Sequence, residues 1–315
     1  MGHNRILQWL LKGDVSIQYQ VHRDLLSLDQ PELRTRIERE GWGALLLAQR
    51  QDNGHWGRGF YQPKWISTHY TLLDLKNLGI LPDNALIREA IALILEQEKS
   101  ADGGLNPART IEESDVCVNG MFLNYACYFG AAEEPLHSII DFILSQRLPD
   151  GGFNCRFNRS GARHSSLHST LSILEGILEY GLNGYTYRLP ELEAAAASSR
   201  AFILLHRLYL SDRTGEAINP SFLRLPYPSR WKYDILRALD YFRYAGAPWD
   251  ERMQPAIEVL LKKRRKDGTW PLQAKYPGKV HFDMEQAGKP SRWNTLRALR
   301  VLKYLGEVQN RSEKE

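Results

Sequence analysis

The chain has 315 residues, 43% of them apolar, with a formal net charge of +4. That supplies a sizeable core, in one large domain or two ordinary ones, and the charge is too small to point to nucleic acid. Three cysteines, Cys117, Cys127 and Cys155, are too few for a disulfide framework and odd in number, which points to a reducing compartment. The first thirty residues lack a signal pattern and no apolar run reaches spanning length. A cytoplasmic location with no integral membrane segment is expected, and no protein partner can be read.

In chain order, 3–12 reads as a short helix, Asp14 as the cap of a second over 15–28, and Pro31 as the first turn of a third over 32–50. That helix runs into a turn cluster, Asp52-Asn-Gly-His-Trp56. The cluster recurs as Asp102-Gly-Gly-Leu105, Asp150-Gly-Gly-Phe153 and Asp267-Gly-Thr-Trp270, with a degenerate copy at Leu210–Glu216. The first three recur at a spacing near 49 residues, and a period of that size marks an array of similar units.

Each cluster precedes a segment of helical period. These inner segments are 65–79, 115–130, 164–181, 231–246 and 291–306, joined by 14–28, and they are apolar around much of their circumference. Five of them end at Gly79, Gly130, Gly181, Gly246 and Gly306, where glycine takes the left-handed conformation that closes a helix. Second helices follow at 83–98, 133–147, 190–211 and 250–265. Strand-like alternation is nearly absent. The reading is all-α: an α/α toroid of about six inner and six outer helices, one domain over 1–307, with a polar, frayed tail at 308–315. An open superhelix is the alternative.

At the Asp-Gly-x-Trp and Asp-Gly-Gly-Phe turns the sequence resembles the terpenoid cyclases and the β subunits of protein prenyltransferases, over 40 to 306. The resemblance implies an α/α toroid and an apolar, isoprenoid substrate, with or without a diphosphate group. The Asp-x-Asp-Asp acid of squalene-hopene-type cyclases is absent; Glu112-Glu-Ser-Asp115 is acidic but differently spaced. Prenyltransferase β subunits hold zinc with Asp-x-Cys at one inner helix and His at the next. Asp115-Val-Cys117 matches the first part and His168 the second in position, without the family's Asp-x-Tyr-His context. Zinc on Asp115, Cys117 and His168 is therefore an expected cofactor, with Cys155 and His164 as rival ligands. The alternative is that these residues cap and fill the fold.

Trp65, Tyr70, Trp231, Tyr233 and Trp293 cluster where inner segments begin, and their rings would line a cavity for an apolar substrate or pack as ordinary core. Ser229-Arg-Trp231 and Ser291-Arg-Trp293 repeat one tripeptide in two units, so Arg230 and Arg292 are expected to hold an anion. Arg109 and Arg159 add charge to the same loops. Asp283 and Glu285, beside His281, are acid and base candidates. The cavity is expected to open toward the turn end. The function expected is an enzyme on an apolar substrate. The alternatives are a non-catalytic lipid- or partner-binding toroid and a carbohydrate-active or lanthipeptide-cyclase-like enzyme.

Overall fold

The computed structural model describes residues 2–107 and 111–312, with side chains throughout that span except at 2–3, 158–159 and 307–312. Arg109, the Arg159 side chain and 313–315 thus lie outside the described residues. The helices are α1 (Gly2–Leu11), α2 (Val15–Gln20) with a π-helical turn (Val21–Leu26), α3 (Pro31–Arg36), α4 (Gly41–Leu47), α5 (Thr68–Leu78), α6 (Ala85–Gln97), α7 (Val116–Tyr128), α8 (His137–Ser145), α9 (Phe157–Ser160), α10 (Leu167–Leu182), α11 (Leu189–Leu205), α12 (Ile235–Tyr244), α13 (Gln254–Lys262) and α14 (Arg292–Ser312). The one sheet among the described residues pairs β1 (Trp270–Pro271) with β2 (Pro290–Ser291), antiparallel. The fold is all-α.

Two kinds of helix alternate. On α7 every residue but Cys117 and Tyr128 is buried, and α5 and α10 are enclosed nearly as fully. On α6 only Ile87, Ala90, Ile91 and Ile94 are buried, a single stripe at helical spacing. A hydrogen-bond device recurs at the turns. The backbone N–H groups of Trp56, Phe153 and Trp270 donate to Thr68, Thr170 and Thr295 at 3.0, 3.0 and 2.9 Å, and that of Leu105 donates to Asn119 at 2.7 Å. Each acceptor lies in the first turn or so of the following buried helix, so the turn is tied to the helix it introduces. The turn glycines Gly54, Gly103, Gly151 and Gly268 all have φ between 83° and 97°, which an L side chain adopts only under strain.

The buried helices touch in order. Gln20 donates to the Asn77 carbonyl at the end of α5 (2.9 Å). Lys76 on α5 donates to Asn124 on α7 (2.7 Å). Between α7 and α10 the backbones nearly meet: a methyl built on Gly176 would lie 2.5 Å from the Gly120 carbonyl oxygen. Arg237 on α12 donates to Glu175 on α10 (2.8 Å), and Arg300 on α14 to Asp240 on α12 (2.8 Å). Arg300 also reaches Gln20 (3.0 Å) and Asp24 (2.9 Å) at the start of the chain.

Several expectations are corrected. Gly181 and Gly306 lie inside α10 and α14, not beyond them. α14 runs on to Ser312, into the segment read as a tail. The helix expected over 32–50 divides at Gly41 (φ 62°), because the Asp14 carboxylate, already capping Ser16, also accepts the Trp42 N–H (2.8 Å) and starts α4 there.

Candidate binding site

Two cavities share Tyr227 and Arg230 as wall residues. The inner one, of about 180 Å³, lies among the buried helices. Its walls include Lys76, Glu175, Glu179, Arg237, Asp240, Arg297 and Arg300. The outer one, of about 110 Å³, lies under the loop 275–285, with Trp65, Tyr276, Phe282 and Met284 beside Asp74 and His281. That loop is strapped down by main-chain bonds between Lys64 and Lys279 (2.9 Å) and Lys279 and Trp65 (2.5 Å), and by the Trp65 indole N–H on the Pro277 carbonyl (3.0 Å).

The inner cavity is ionic. Lys76 pairs with Glu179 (2.7 Å), Arg237 with Glu175 (2.6 Å), and Arg230 with Asp74. Asp240 meets three guanidinium groups, those of Arg243 (2.9 Å), Arg297 (3.4 Å) and Arg300. Burial works against the Asp240 charge, yet Arg300, Arg243 and Arg297 together hold its carboxyl well below the usual carboxylate range. Asp74 goes the other way: burial raises it, and Arg230 only partly offsets this. The exposed wall residues Arg23, Asn77 and Tyr244 lie at the carboxyl ends of their helices, whereas Arg230, Trp293 and Arg297 at the amino ends are buried. The cavity therefore opens opposite the turn end, because the strap covers the expected mouth.

The five aromatic residues do not share one space. Trp65 lines the outer cavity, edge-on to Tyr70 at 4.7 Å. Tyr70 lines neither; it is fully buried, and its hydroxyl meets that of Tyr61 (3.0 Å). Trp231 packs against His168 at 5.2 Å and Tyr233 against Phe222 at 5.0 Å, in the seam between α10 and α12. Trp293 lines the inner cavity, stacked between Trp42 and Tyr227 at 6.1 and 4.7 Å.

The charged candidates part similarly. Arg230 lines both cavities and is bound to Asp74. Arg292 points away, lying over the Trp9 ring at 4.6 Å and donating to the Trp9 carbonyl (3.2 Å). Asp283 is exposed and pairs with Lys275 (2.7 Å). Glu285 caps α14, accepting from the Arg292 N–H (2.6 Å) and from Ser291; its buried carboxyl is raised by desolvation, against the pull of those hydrogen bonds. His281 meets Thr71 (3.0 Å) and is lowered to about 4 by burial and then by Arg230 and Lys279, so it is neutral at pH 7.

The zinc ligands expected from the sequence do not form a set in this arrangement. Cys117 and Cys155 are joined in a disulfide, with Cα atoms 6.0 Å apart. Sequence reading placed the two as rival ligands and missed the bond, since an odd cysteine count hides one pair. His168 accepts the Tyr233 N–H at Nδ1 (2.7 Å), and burial lowers it to about 4, with Arg237 and Lys232 adding to the effect. Asp115 precedes α7, its carbonyl accepting from Asn119 (3.1 Å). His164 is exposed. Among the described residues no three His, Cys, Asp or Glu side chains converge to hold a metal.

Sequence reading also missed Tyr227, Arg237, Asp240, Arg297 and Arg300. For the charged ones a signal is present: Arg237, Asp240 and Arg243, then Arg297 and Arg300, stand three apart among the apolar residues of α12 and of the first half of α14, which puts them on one helical face.

No family model matches the sequence, and no curated protein matches it. Among solved structures the chain is similar to a variant of a type II terpene cyclase from Scytonema in complex with geranylgeranyl dihydroxybenzoate, its substrate. The TM-score is 0.43 and the identity 15%, over 94% of this chain and 88% of that one. No helix of the described residues is long and apolar enough to cross a membrane.

Proposed function

We propose that the chain is a single-domain α/α toroid, with α2, α5, α7, α10, α12 and α14 inside, that takes a small amphipathic substrate. In line with the turn resemblance, the substrate is isoprenoid and carries a polar or anionic head. The observation that carries the reading is a pair of adjacent cavities that share the walls Tyr227 and Arg230. The outer one offers Trp65, Tyr227, Tyr276, Phe282 and Met284 to an apolar part, while the inner one offers guanidinium groups to a head. The site is thus in two parts rather than apolar throughout. Rings there would also attract a cation, and Arg230 already lies 5.7 Å from the Trp65 ring.

The chain's own residues supply hydrogen bonds, fixed charge and shelter from water. Neutral His281 lines the outer cavity as a proton acceptor, and Asp74, raised by burial, stands beside Arg230. A non-catalytic binding toroid is the second reading, favoured by the use of Glu285 as a helix cap and of Asp283 in a surface ion pair.

Calorimetric titration with a fifteen-carbon prenyl diphosphate and with the matching alcohol tests the proposal, alongside extraction of products after incubation. Saturable binding of both, weakened in Trp65→Ala, supports the two-part site, and product formation separates enzyme from binder. Absence of binding by either ligand refutes the reading.

A further inference from the structure

The Cys117–Cys155 bond is not sealed in the core. Both cysteines are half-buried, one in the first turn of α7 and the other in the loop ahead of α9. Their sulfurs have unequal surroundings. The Cys117 N–H donates to Sγ of Cys155 at 3.1 Å, and the Ser169 hydroxyl donates to the same sulfur at 3.3 Å. Ser169 is itself held in place: it is 4% exposed and accepts the Cys155 N–H at 3.1 Å. Among the described residues nothing donates to Sγ of Cys117.

The Cys117 N–H is one of the amide groups that a helix leaves without an internal partner at its amino end. Asp115 precedes α7, and its side chain does not cap it, so the Cys155 sulfur stands where a capping oxygen would. In thiol–disulfide exchange the electron pair of the broken bond passes to the leaving sulfur, and a better-stabilised thiolate leaves faster. Hydrogen bonds to an ionised group are stronger than those to a neutral one, so both donors tighten as Cys155 becomes a thiolate. The amino end of α7, a helix of 13 residues, favours negative charge as well. Cys117 shares that field but lacks the two donors.

We infer that Cys117–Cys155 is an exchange site for a small dithiol, with a fixed direction: the incoming thiolate attacks Sγ of Cys117, and Sγ of Cys155 leaves. In the first step a bond forms between the reductant's sulfur and Cys117. The Cys117–Cys155 bond breaks, and its electron pair stays on Cys155, held by Ser169 and the Cys117 N–H. In the second step the reductant's other thiolate attacks its own first sulfur, closes a cyclic disulfide and expels Cys117, which takes up a proton. The dithiol loses two electrons and the cystine gains them; of the two thiol protons, one ends on Cys117 and one in solvent. The loop over 154–163 then loses its covalent tie to α7. The turn behind it persists, since the Phe153 N–H keeps Thr170 (3.0 Å) and Asn154 keeps the His164 carbonyl (2.8 Å). Neither cysteine lines the inner or the outer cavity, so the site is independent of the substrate proposed above.

The folded, unreduced chain is exposed at pH 7 to excess glutathione, a monothiol that stops at the mixed disulfide. It is then quenched with N-ethylmaleimide, and peptide mass mapping locates both labels. Glutathione on Cys117 with maleimide on Cys155 should exceed the reverse pairing by about tenfold, the worth of a hydrogen bond to a charged group. Reduction by dithiothreitol should go to completion with the circular dichroism of a folded chain retained. Ser169→Ala should slow that reduction about fivefold, whereas Ser160→Ala, exposed in the same loop, should leave it unchanged. Glutathione on Cys155, or on both cysteines equally, overturns the inference. So does a bond that yields only after denaturation, or a chain whose three thiols all stay alkylatable after treatment with oxidised glutathione. Equal rates in wild type and Ser169→Ala remove the hydroxyl from the leaving-group role and overturn it too; if that variant does not fold, the adduct map of the wild type decides alone.

Discussion

Replacing Asp240 by asparagine tests whether the ionic centre holds the fold together. The carboxylate accepts from Arg300 and Arg243 at 2.8 and 2.9 Å on one oxygen, and from Arg297 at 3.4 Å and Arg300 on the other. Asparagine keeps the volume and one acceptor but turns the other oxygen into an amide facing guanidinium N–H groups. Breaking a buried ion pair from one side costs about 3–5 kcal/mol. Arg300 keeps Asp24 and Gln20, which favours the lower end, about 3 kcal/mol. With an unfolding entropy of roughly 2.1 cal/mol/K per residue, that lowers Tm by about 4–5 °C. The carboxyl is held below its ordinary 3.8, so its contribution is present above that pH and is lost as pH falls toward the folded value. Calorimetric scans at pH 7 and at pH 3 should therefore show a gap between wild type and D240N that narrows in acid. A control, D283N, breaks only the exposed pair with Lys275 and should move Tm little. A pH 7 gap below about 1 °C for D240N would refute the reasoning.

Three further outcomes are expected. The Cys117–Cys155 bond closes a separation of 38 residues; in the chain-entropy account, reduction or Cys155→Ser costs up to about 4 kcal/mol and about 6 °C in Tm, while alkylation of all three cysteines in unreduced, denatured protein would deny the bond. Gly176→Ala forces a methyl against the Gly120 carbonyl and should destabilise by about 1–3 kcal/mol, read from the urea midpoint; a midpoint within error of wild type would mean that α7 and α10 can part. His168 and His281 are both lowered to about 4 from 6.5, so the stability they confer is complete above pH 6.5 and is lost as pH falls through 4; urea midpoints should drop across that window, less steeply in His281→Asn, and a flat profile would contradict the burial of the two rings.

Much of the helical plan was legible. The Asp-Gly turns and the capping residues Asp14 and Pro31 are local signals with local causes, and α5, α7, α10, α12 and α14 fall on the expected inner segments. What local pattern could not supply is where a polar side chain finds its partner. Asp283 and Glu285 look alike in sequence, yet one is exposed on Lys275 and the other half-buried as a helix cap. Arg230 and Arg292 share a tripeptide but part company: Arg230 pairs with Asp74, while Arg292 lies over the Trp9 ring. The aromatic set failed as a group for a similar reason: a ring at a helix start turns to whichever neighbour leaves room, and for Trp231 and Tyr233 that is the seam beside His168 and Phe222.

The reach of Arg300 back to Asp24 carries a consequence for synthesis. The two residues are 276 positions apart, and at 5–20 residues per second the ribosome takes roughly 15–55 s to travel between them. For that interval a nascent chain carries Asp24 and Gln20 without the guanidinium that reaches them, and once α12 has been made Asp240 waits for it too. A stop codon even a few positions before Arg300 would therefore harm more than its place near the end of the message implies: it would release a chain with nearly all of its apolar surface made and the residue that binds its two ends missing.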